Sequence, residues 1–377
     1  MRAPRNRAAE ERAQTGGQAA LSPLERRFGE LRTKLALYLE TNIDVFRVLA
    51  SGWETTVFEF SVNPPSSHPV NIPANTPLVL RFYDGDLAAG KGLREYAVMS
   101  ALARAGYPAP APYLFEQSER ALGAPFLVME RAAGNPLFAP RAFPAAFKTF
   151  TLAFAAFVRA QSGLHALKLQ PLDTNGAAMA FTPENGGGDR PLIERILAII
   201  AERIERGPLP GLAAILEHLR AGAVALGASG APSLVHMDYH PRNVMVRGAH
   251  VTGVIDWVNA DVGDRHLDAA MTSVILATSA LEHPRWMRDN AAGNSLRRLF
   301  TALYIPLYHM FAPLDLKRFR YCQAVAAALR LSMIGMMRAR GPEAVGFRPE
   351  AIGEITPAVV HLLTRYAMRK TGTAVEI

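Results

Sequence analysis

Between Ser233 and Asp256, short apolar pieces are interrupted at close intervals by residues that can bind a cation or carry a proton. The stretch reads Leu234-Val235-His236-Met237-Asp238-Tyr239-His240-Pro241-Arg242-Asn243-Val244-Met245-Val246, then Gly253-Val254-Ile255-Asp256-Trp257. The apolar pieces are too short for helices, so they read as strands, with 238–243 as one tight loop between them. A turn at 247–250 folds the chain back, and a hairpin of that length can return Asp256 to the side of Asn243. A carboxylate and an amide oxygen then converge on one point, with the Asp238 carboxylate close by. Few, hard oxygen ligands suit Mg²⁺, which keeps several waters and takes further ligands from nucleotide phosphates. A carboxylate outside the metal shell is what a hydroxyl nucleophile needs for orientation and proton removal.

The rest of the sequence bounds where such a hairpin can sit. A length of 377 residues suggests two or three domains or lobes. Half the residues are hydrophobic and 20% are charged, which excludes a mostly disordered chain. A single cysteine, Cys322, excludes an internal disulfide framework and most cysteine-based metal sites. Residues 1–27 hold no continuous apolar run. They predict a flexible tail on a cytoplasmic protein, with a mitochondrial transit peptide opposed by Glu10, Glu11 and Glu25. The apolar run Thr149–Val158 is closed by Lys148 and Arg159 and falls short of the roughly 20 residues a bilayer demands. No membrane partner is expected.

The net charge of +8 is concentrated late: from Met271 onward there are 14 Lys+Arg against seven Asp+Glu. These charges, among them Arg330, Arg338 and Arg340, are scattered along helical text without interleaved aromatics. The reading is a solvated helix face, not a nucleic-acid site.

Coarse patterning predicts a helix over 21–42, strands over 57–62, 77–83, 114–117 and 125–130, and a helix over 93–105. From 142 onward the text is mostly helical, and 233–256 is its one strand-like interval. The expected outline is an α+β chain with a small β-rich part over 28–131 and a larger helical part over 132–377.

The pattern His236-x-Asp238-x-x-x-x-Asn243, followed by Ile255-Asp256-Trp257, resembles the aminoglycoside phosphotransferase and choline kinase family within the protein-kinase-like superfamily. The His240-Pro241 pair and the Ile-Asp-Trp variant resemble its small-molecule kinases more than protein kinases, which carry Asp-Phe-Gly. The resemblance implies a protein-kinase-like bilobal fold, with an antiparallel β-rich N-lobe and a mostly helical C-lobe. It makes Asp238 the catalytic base, Asn243 and Asp256 the Mg²⁺ ligands, and His236 a brace for the loop. ATP and Mg²⁺ are the implied cofactors, and a small molecule bearing a hydroxyl is the implied substrate.

Other segments extend the likeness. The turn around Gly52 resembles the nucleotide-covering turn, although an ordinary hairpin turn reads the same. Leu78-Val79-Leu80-Arg81 resembles the strand carrying the phosphate-contacting basic residue, with arginine where protein kinases have lysine. Glu95 sits where the helix supplies that residue's carboxylate partner, and an exposed helical glutamate would look alike. Residues 123–131, ending in Glu130 and Arg131, are similar to the strand and hinge that meet the adenine. Asp268 reads as a helix cap or loop anchor.

Residues 85–92 (Gly-Asp-Leu-Ala-Ala-Gly-Lys-Gly) match a phosphate-loop pattern up to Gly92, where a hydroxyl is required. They read as an ordinary glycine loop. Two other functions remain open: a nucleotide-binding regulator without catalysis, and a protein kinase, for which 260–270 passes into helix too soon to hold an activation segment. The net +7 of the last 107 residues disfavours a polycationic acceptor relative to a neutral, apolar or anionic alcohol.

Overall fold

The computed structural model describes residues 23–51, 55–63, 70, 72–85, 87–138, 143–168, 190–207, 209–227, 231–278 and 291–375. Its first part runs α1 (Pro23–Tyr38), β1 (Ile43–Ser51), β2 (Thr55–Val62), β3 (Leu78–Tyr83), α2 (Ala88–Arg104), β4 (Pro112–Glu116) and β5 (Phe126–Glu130). The five strands form one antiparallel sheet in the order β1-β2-β3-β5-β4.

Strand β3 occupies the middle of this sheet and is buried along its whole length. Its alternation assigns each side chain to a face. Leu78, Leu80 and Phe82 join Phe58, Phe60, Phe126 and Val128 in a core covered by Leu35 of α1 and by Leu39 just after it. Val79 and Tyr83 fall on the opposite face with Leu127 and Met129, in the core that continues into the helical part. Arg81 lies between them in register, opposite Val57 and Leu127, so period two delivers a cation to the inner face.

Helix α2 packs on that inner face through Val98, Met99 and Leu102. It begins at Ala88, earlier than the apolar spacing predicts, and takes in Gly90, Lys91 and Gly92. The phosphate-loop pattern is therefore helical over its last positions. Gly92 serves close packing, since a Cβ there would stand 2.2 Å from the Phe115 ring and 2.9 Å from the Tyr83 ring.

The helical part follows, with β6 (Asn135–Pro136), α3 (Phe143–Ala166), α4 (Leu192–Arg206), α5 (Ala213–Leu226), β7 (Ser233–Val235), β8 (Val244–Arg247), β9 (His250–Val254) and β10 (Asp261–Gly263). It closes with α6 (Arg265–Thr278), α7 (Ala291–Phe311), α8 (Leu316–Arg340) and α9 (Pro357–Thr371). Two short strands lie outside the interval read from sequence. β6 pairs with β8, and β10 pairs with β7. Neither shows in the text, because two or three residues are too few to establish a period.

Helix α8 corrects the reading of its charges as one solvated face. It is capped by Asp315, whose carboxylate accepts the N–H groups of Lys317 (2.9 Å) and Arg318 (3.1 Å). Most of Cys322–Met337 is then buried. Arg338 and Arg340 are exposed, whereas Arg330 is half-buried and faces inward. Among the described residues, no helix is long and apolar enough to cross a membrane.

Candidate active site

The hairpin of β8 and β9 turns where Arg247 pairs with His250, through Gly248 at φ 61°. One further backbone bond lies beyond the strands, from the Ile255 N–H to the Asn243 carbonyl at 2.9 Å. That bond sets Asp256 beside Asn243. The Asn243 side-chain amide donates to the Asp238 carbonyl (3.1 Å) and to its Oδ2 (3.4 Å), which fixes the amide. Among the described residues no donor reaches Asn243 Oδ1 or Asp256 Oδ2. The three residues singled out by spacing are thus brought to one place. Among the described residues, Asn243 Oδ1 and Asp256 Oδ2 stay open.

The loop is held from behind. His236 Nδ1 accepts the Asp238 N–H (3.3 Å), so its Nε2 carries the proton and donates to the Ile255 carbonyl (3.0 Å). One imidazole therefore ties the loop to the strand end that presents Asp256. Its ring lies against Trp257, with centroids 4.5 Å apart, and the buried indole donates to the Val254 carbonyl at 2.9 Å. Met237 and Asp256 both adopt left-handed backbone, at φ 61° and 69°. Such conformations cost on the order of 1–3 kcal/mol each and persist where the surroundings over-determine them.

Asp268, in the first turn of α6, supplies part of that constraint. Its carboxylate accepts the Met237 N–H at 2.6 Å, Gln161 Nε2 at 2.9 Å and His165 Nε2 at 2.8 Å. His165 Nδ1 meets the Tyr308 hydroxyl at 2.5 Å, and the Tyr304 hydroxyl donates to Gln161 Oε1 at 2.6 Å. Asp268 is fully buried. Burial alone would raise its carboxyl; the bond and charge of His165, with His236 and Gln161, lower it below its ordinary value.

Asp238 faces a different set of charges. His240 Nε2 is 3.6 Å from its Oδ2. Burial pushes the Asp238 carboxyl up, but His240, His236 and Arg330 outweigh it and hold the group at about 2. The carboxylate is therefore ionised at any ordinary pH.

From the sheet side, Arg81 Nη2 donates to Asp256 Oδ1 at 2.7 Å, and Arg81 Nε stands 3.3 Å from Glu95 Oε2. Glu95 also accepts the Tyr83 hydroxyl (2.6 Å) and the Trp257 N–H (3.0 Å), so one buried carboxylate joins β3, α2 and the segment after Asp256. Burial works against the charge on Arg81, but the two carboxylates raise its affinity for the proton above normal. Arg94 adds a second tie across the same gap, donating to the Val258 carbonyl at 3.0 and 3.1 Å.

Glu130 and Arg131 are not drawn into this cluster. Glu130 is exposed and pairs with Ala111 through its backbone N–H (2.8 Å) and its carboxylate (3.3 Å). The Arg131 N–H bonds the Pro77 carbonyl at 3.0 Å, and its guanidinium faces Glu59 at 3.4 Å. Gly52 lies outside the described residues.

Sequence reasoning passed over His240 as a contact of Asp238, Tyr83 as a partner of Glu95, and the inward turn of Arg330. Only His240 carried a signal, its place two residues after Asp238.

The open donor set suits a divalent cation that also takes ligands from a bound phosphate. Both unpaired oxygens are hard, and one is anionic. No group of three or more His, Cys, Asp or Glu able to hold a metal by itself occurs among the described residues.

Solved structures carry the same architecture. Aminoglycoside phosphotransferase APH(4)-Ia is 16% identical with a TM-score of 0.56, over 90% of this chain and 98% of its own. ADP-bound aminoglycoside phosphotransferase APH(2'')-Ib is 17% identical with a TM-score of 0.53, over 90% and 98%. Macrolide 2'-phosphotransferase MphH from Brachybacterium faecium is 16% identical with a TM-score of 0.53, over 88% and 98%. At such identities the likeness is one of fold. No curated protein matches the chain. The model of the phosphotransferase enzyme family matches residues 45–305, well over half the sequence, and the chain belongs to that family.

Proposed function

We propose that the protein is an ATP-dependent cytoplasmic kinase of a small-molecule alcohol, with the nucleotide bound by residues 28–131 and the acceptor by residues 132–377. The observation that carries this reading is the meeting of Asp238, Asn243 and Asp256 at one point facing the Arg81–Glu95 pair. Asn243 Oδ1 and the Asp256 carboxylate would hold Mg²⁺. Such an ion would supply charge neutralisation at the nucleotide phosphates.

Asp238 supplies orientation. A carboxylate held at about 2 is too weak a base to strip a resting alcohol, but it can accept the hydroxyl hydrogen bond, aim the oxygen and take the proton late. Phosphoryl transfer with a loose transition state asks for little more than positioning and charge neutralisation. His236 and Asp268 act through the loop, keeping the Asp238 carboxylate aimed.

The acceptor is proposed to be neutral, apolar or anionic. His240 and Arg330 already face Asp238, and a polycation would add repulsion there. Aminoglycoside and macrolide phosphotransferases share the fold, so antibiotics of both kinds belong in the test beside sugars and other metabolites. ADP release is measured for such a panel with purified protein. Acceptor-dependent turnover that vanishes in Asp238→Asn is the expected result. Nucleotide binding without turnover on any acceptor would favour a regulator of the same fold, and activity confined to polyamines would reject the acceptor assignment.

A further inference from the structure

Late in the chain, a short segment of the helical part crosses back to the sheet. Helix α8 ends at Arg340, and the chain turns through Gly341 (φ 88°) into the 3₁₀ turn Pro342–Val345, which Gly346 (φ 80°) closes. Pro342 is buried, and the Phe347 N–H donates to its carbonyl at 3.1 Å. Arg348 thus leaves from a fixed base, and its guanidinium reaches the β-rich part. Nε donates to Asp84 Oδ2 at 3.0 Å, with Nη2 on the same oxygen, and Nη2 also donates to Thr56 Oγ1 at 2.8 Å.

Asp84 directly follows β3, and Thr56 pairs with Phe82 near the start of β2. Thr56 shares its face with Phe58 and Phe82, so Arg348 grips the sheet from the side of the α1 core. The bonds of Arg81 to Asp256 and of Arg94 to the Val258 carbonyl hold it from the other face. A sheet tied on one face alone can rock about that line of contacts; a tie on the second face opposes the motion. The grip also lies close to the site in register. Thr55 stands opposite Tyr83, whose hydroxyl donates to Glu95, the carboxylate that accepts the Trp257 N–H. The side chains of Arg348 and Asp84 are 25% and 46% exposed, so the pair contributes little to global stability. Its effect is on where the sheet stands.

We propose that Arg348 is a positioning residue for the nucleotide. By holding the ends of β2 and β3 from the helical part, it keeps the strand that carries Arg81 at the separation from Asn243 and Asp256 that one nucleotide can span. The inference rests on the assignment of the nucleotide to residues 28–131 made above. Without the tie the sheet samples separations that do not bind, so apparent affinity falls by the lost fraction, and saturating nucleotide restores turnover.

The test is ADP binding by calorimetry on the purified full chain, beside ATP kinetics with an accepted alcohol. Arg348→Met should weaken ADP binding and raise the ATP KM about tenfold, with kcat and the acceptor KM changed by less than about threefold. Asp84→Asn should reproduce part of the loss, and the double variant should be no worse than Arg348→Met, because one tie is removed in each. Melting temperatures should fall by no more than about 2 °C. Should Arg348→Met fail to fold, Asp84→Asn, at an exposed side chain, carries the same test. Unchanged ADP affinity in the folded single variants overturns the inference, as does a large drop in melting temperature with affinity intact, which would make the tie merely structural. Additive losses in the double variant overturn it too. If the wild-type protein binds no ADP, the nucleotide assignment itself falls and the inference falls with it.

Discussion

The Asp268 carboxylate accepts the backbone N–H of Met237 at 2.6 Å, at the residue where the chain turns through φ 61° to present Asp238. A buried anion from helix α6 thus fixes the backbone of a loop whose next residue, Asp238, is itself an anion. Asp268→Ala would strand the Met237 N–H and leave His165 and Gln161 without their acceptor. A loss of about 3 kcal/mol in stability is expected, with turnover falling further than nucleotide affinity. Thermal melts and nucleotide titrations on the same preparation check it.

Asp238→Asn keeps the size of the side chain and removes the negative oxygen that would receive the acceptor proton. Turnover should drop about 10²–10⁴-fold, while the nucleotide dissociation constant changes by no more than about threefold, because no phosphate contact is assigned to this side chain. Steady-state kinetics on an accepted alcohol, paired with calorimetric nucleotide binding, provides the measurement. Near wild-type turnover would remove Asp238 from its assigned role.

The acid limb of stability has a definite sign. Burial works to raise the Asp264 carboxyl, but the hydrogen bonds of His266 (2.7 Å) and Arg318 (2.5 Å) bring it from 3.8 down to about 2. The folded state therefore holds this proton less tightly than the unfolded chain does. The resulting stability, roughly 2 kcal/mol, is complete above pH about 4 and is lost as pH falls through about 2. Arg318→Met should reduce the stability difference between pH 6 and pH 3, read from urea midpoints at the two values. An equal difference in both proteins would show that the ion pair contributes nothing.

Gly92→Ala probes the packing beneath the Arg81–Glu95 pair. The new methyl would meet the rings of Phe115 and Tyr83, and Tyr83 donates to Glu95 at 2.6 Å. Displacing those rings should cost about 1–3 kcal/mol and weaken nucleotide binding in the same variant. Gly90→Ala, at a neighbouring helical glycine with open space around it, should be neutral or slightly stabilising. Comparison of the two melting temperatures separates helix propensity from packing.

Much of this molecule was legible before any coordinates. The β-branched and aromatic text of 77–83 marked the strand that carries Arg81. The interval 233–256 contained both the hairpin and the three oxygen-bearing side chains, because a hairpin is local and its register follows from short-range spacing. The family resemblance was carried chiefly by His236, Asp238, Asn243 and Ile255-Asp256-Trp257, with weaker likenesses elsewhere in the chain. The limits lay with contacts between distant segments. Period and composition do not say that Tyr83 and the Trp257 N–H will share Glu95, that Arg330 will turn inward from α8, or that Gly90–Gly92 will be drawn into a helix. Each of these depends on which surfaces meet after the sheet and the helices pack, and packing is settled by shape and burial summed over the whole chain. The sequence determined which chemical groups are available and which of them are neighbours along the chain. Only tertiary structure decided their charge environment, since the field at Asp238 or Asp256 comes from His240, Arg330 and Arg81, two of which reach it from other elements of the fold.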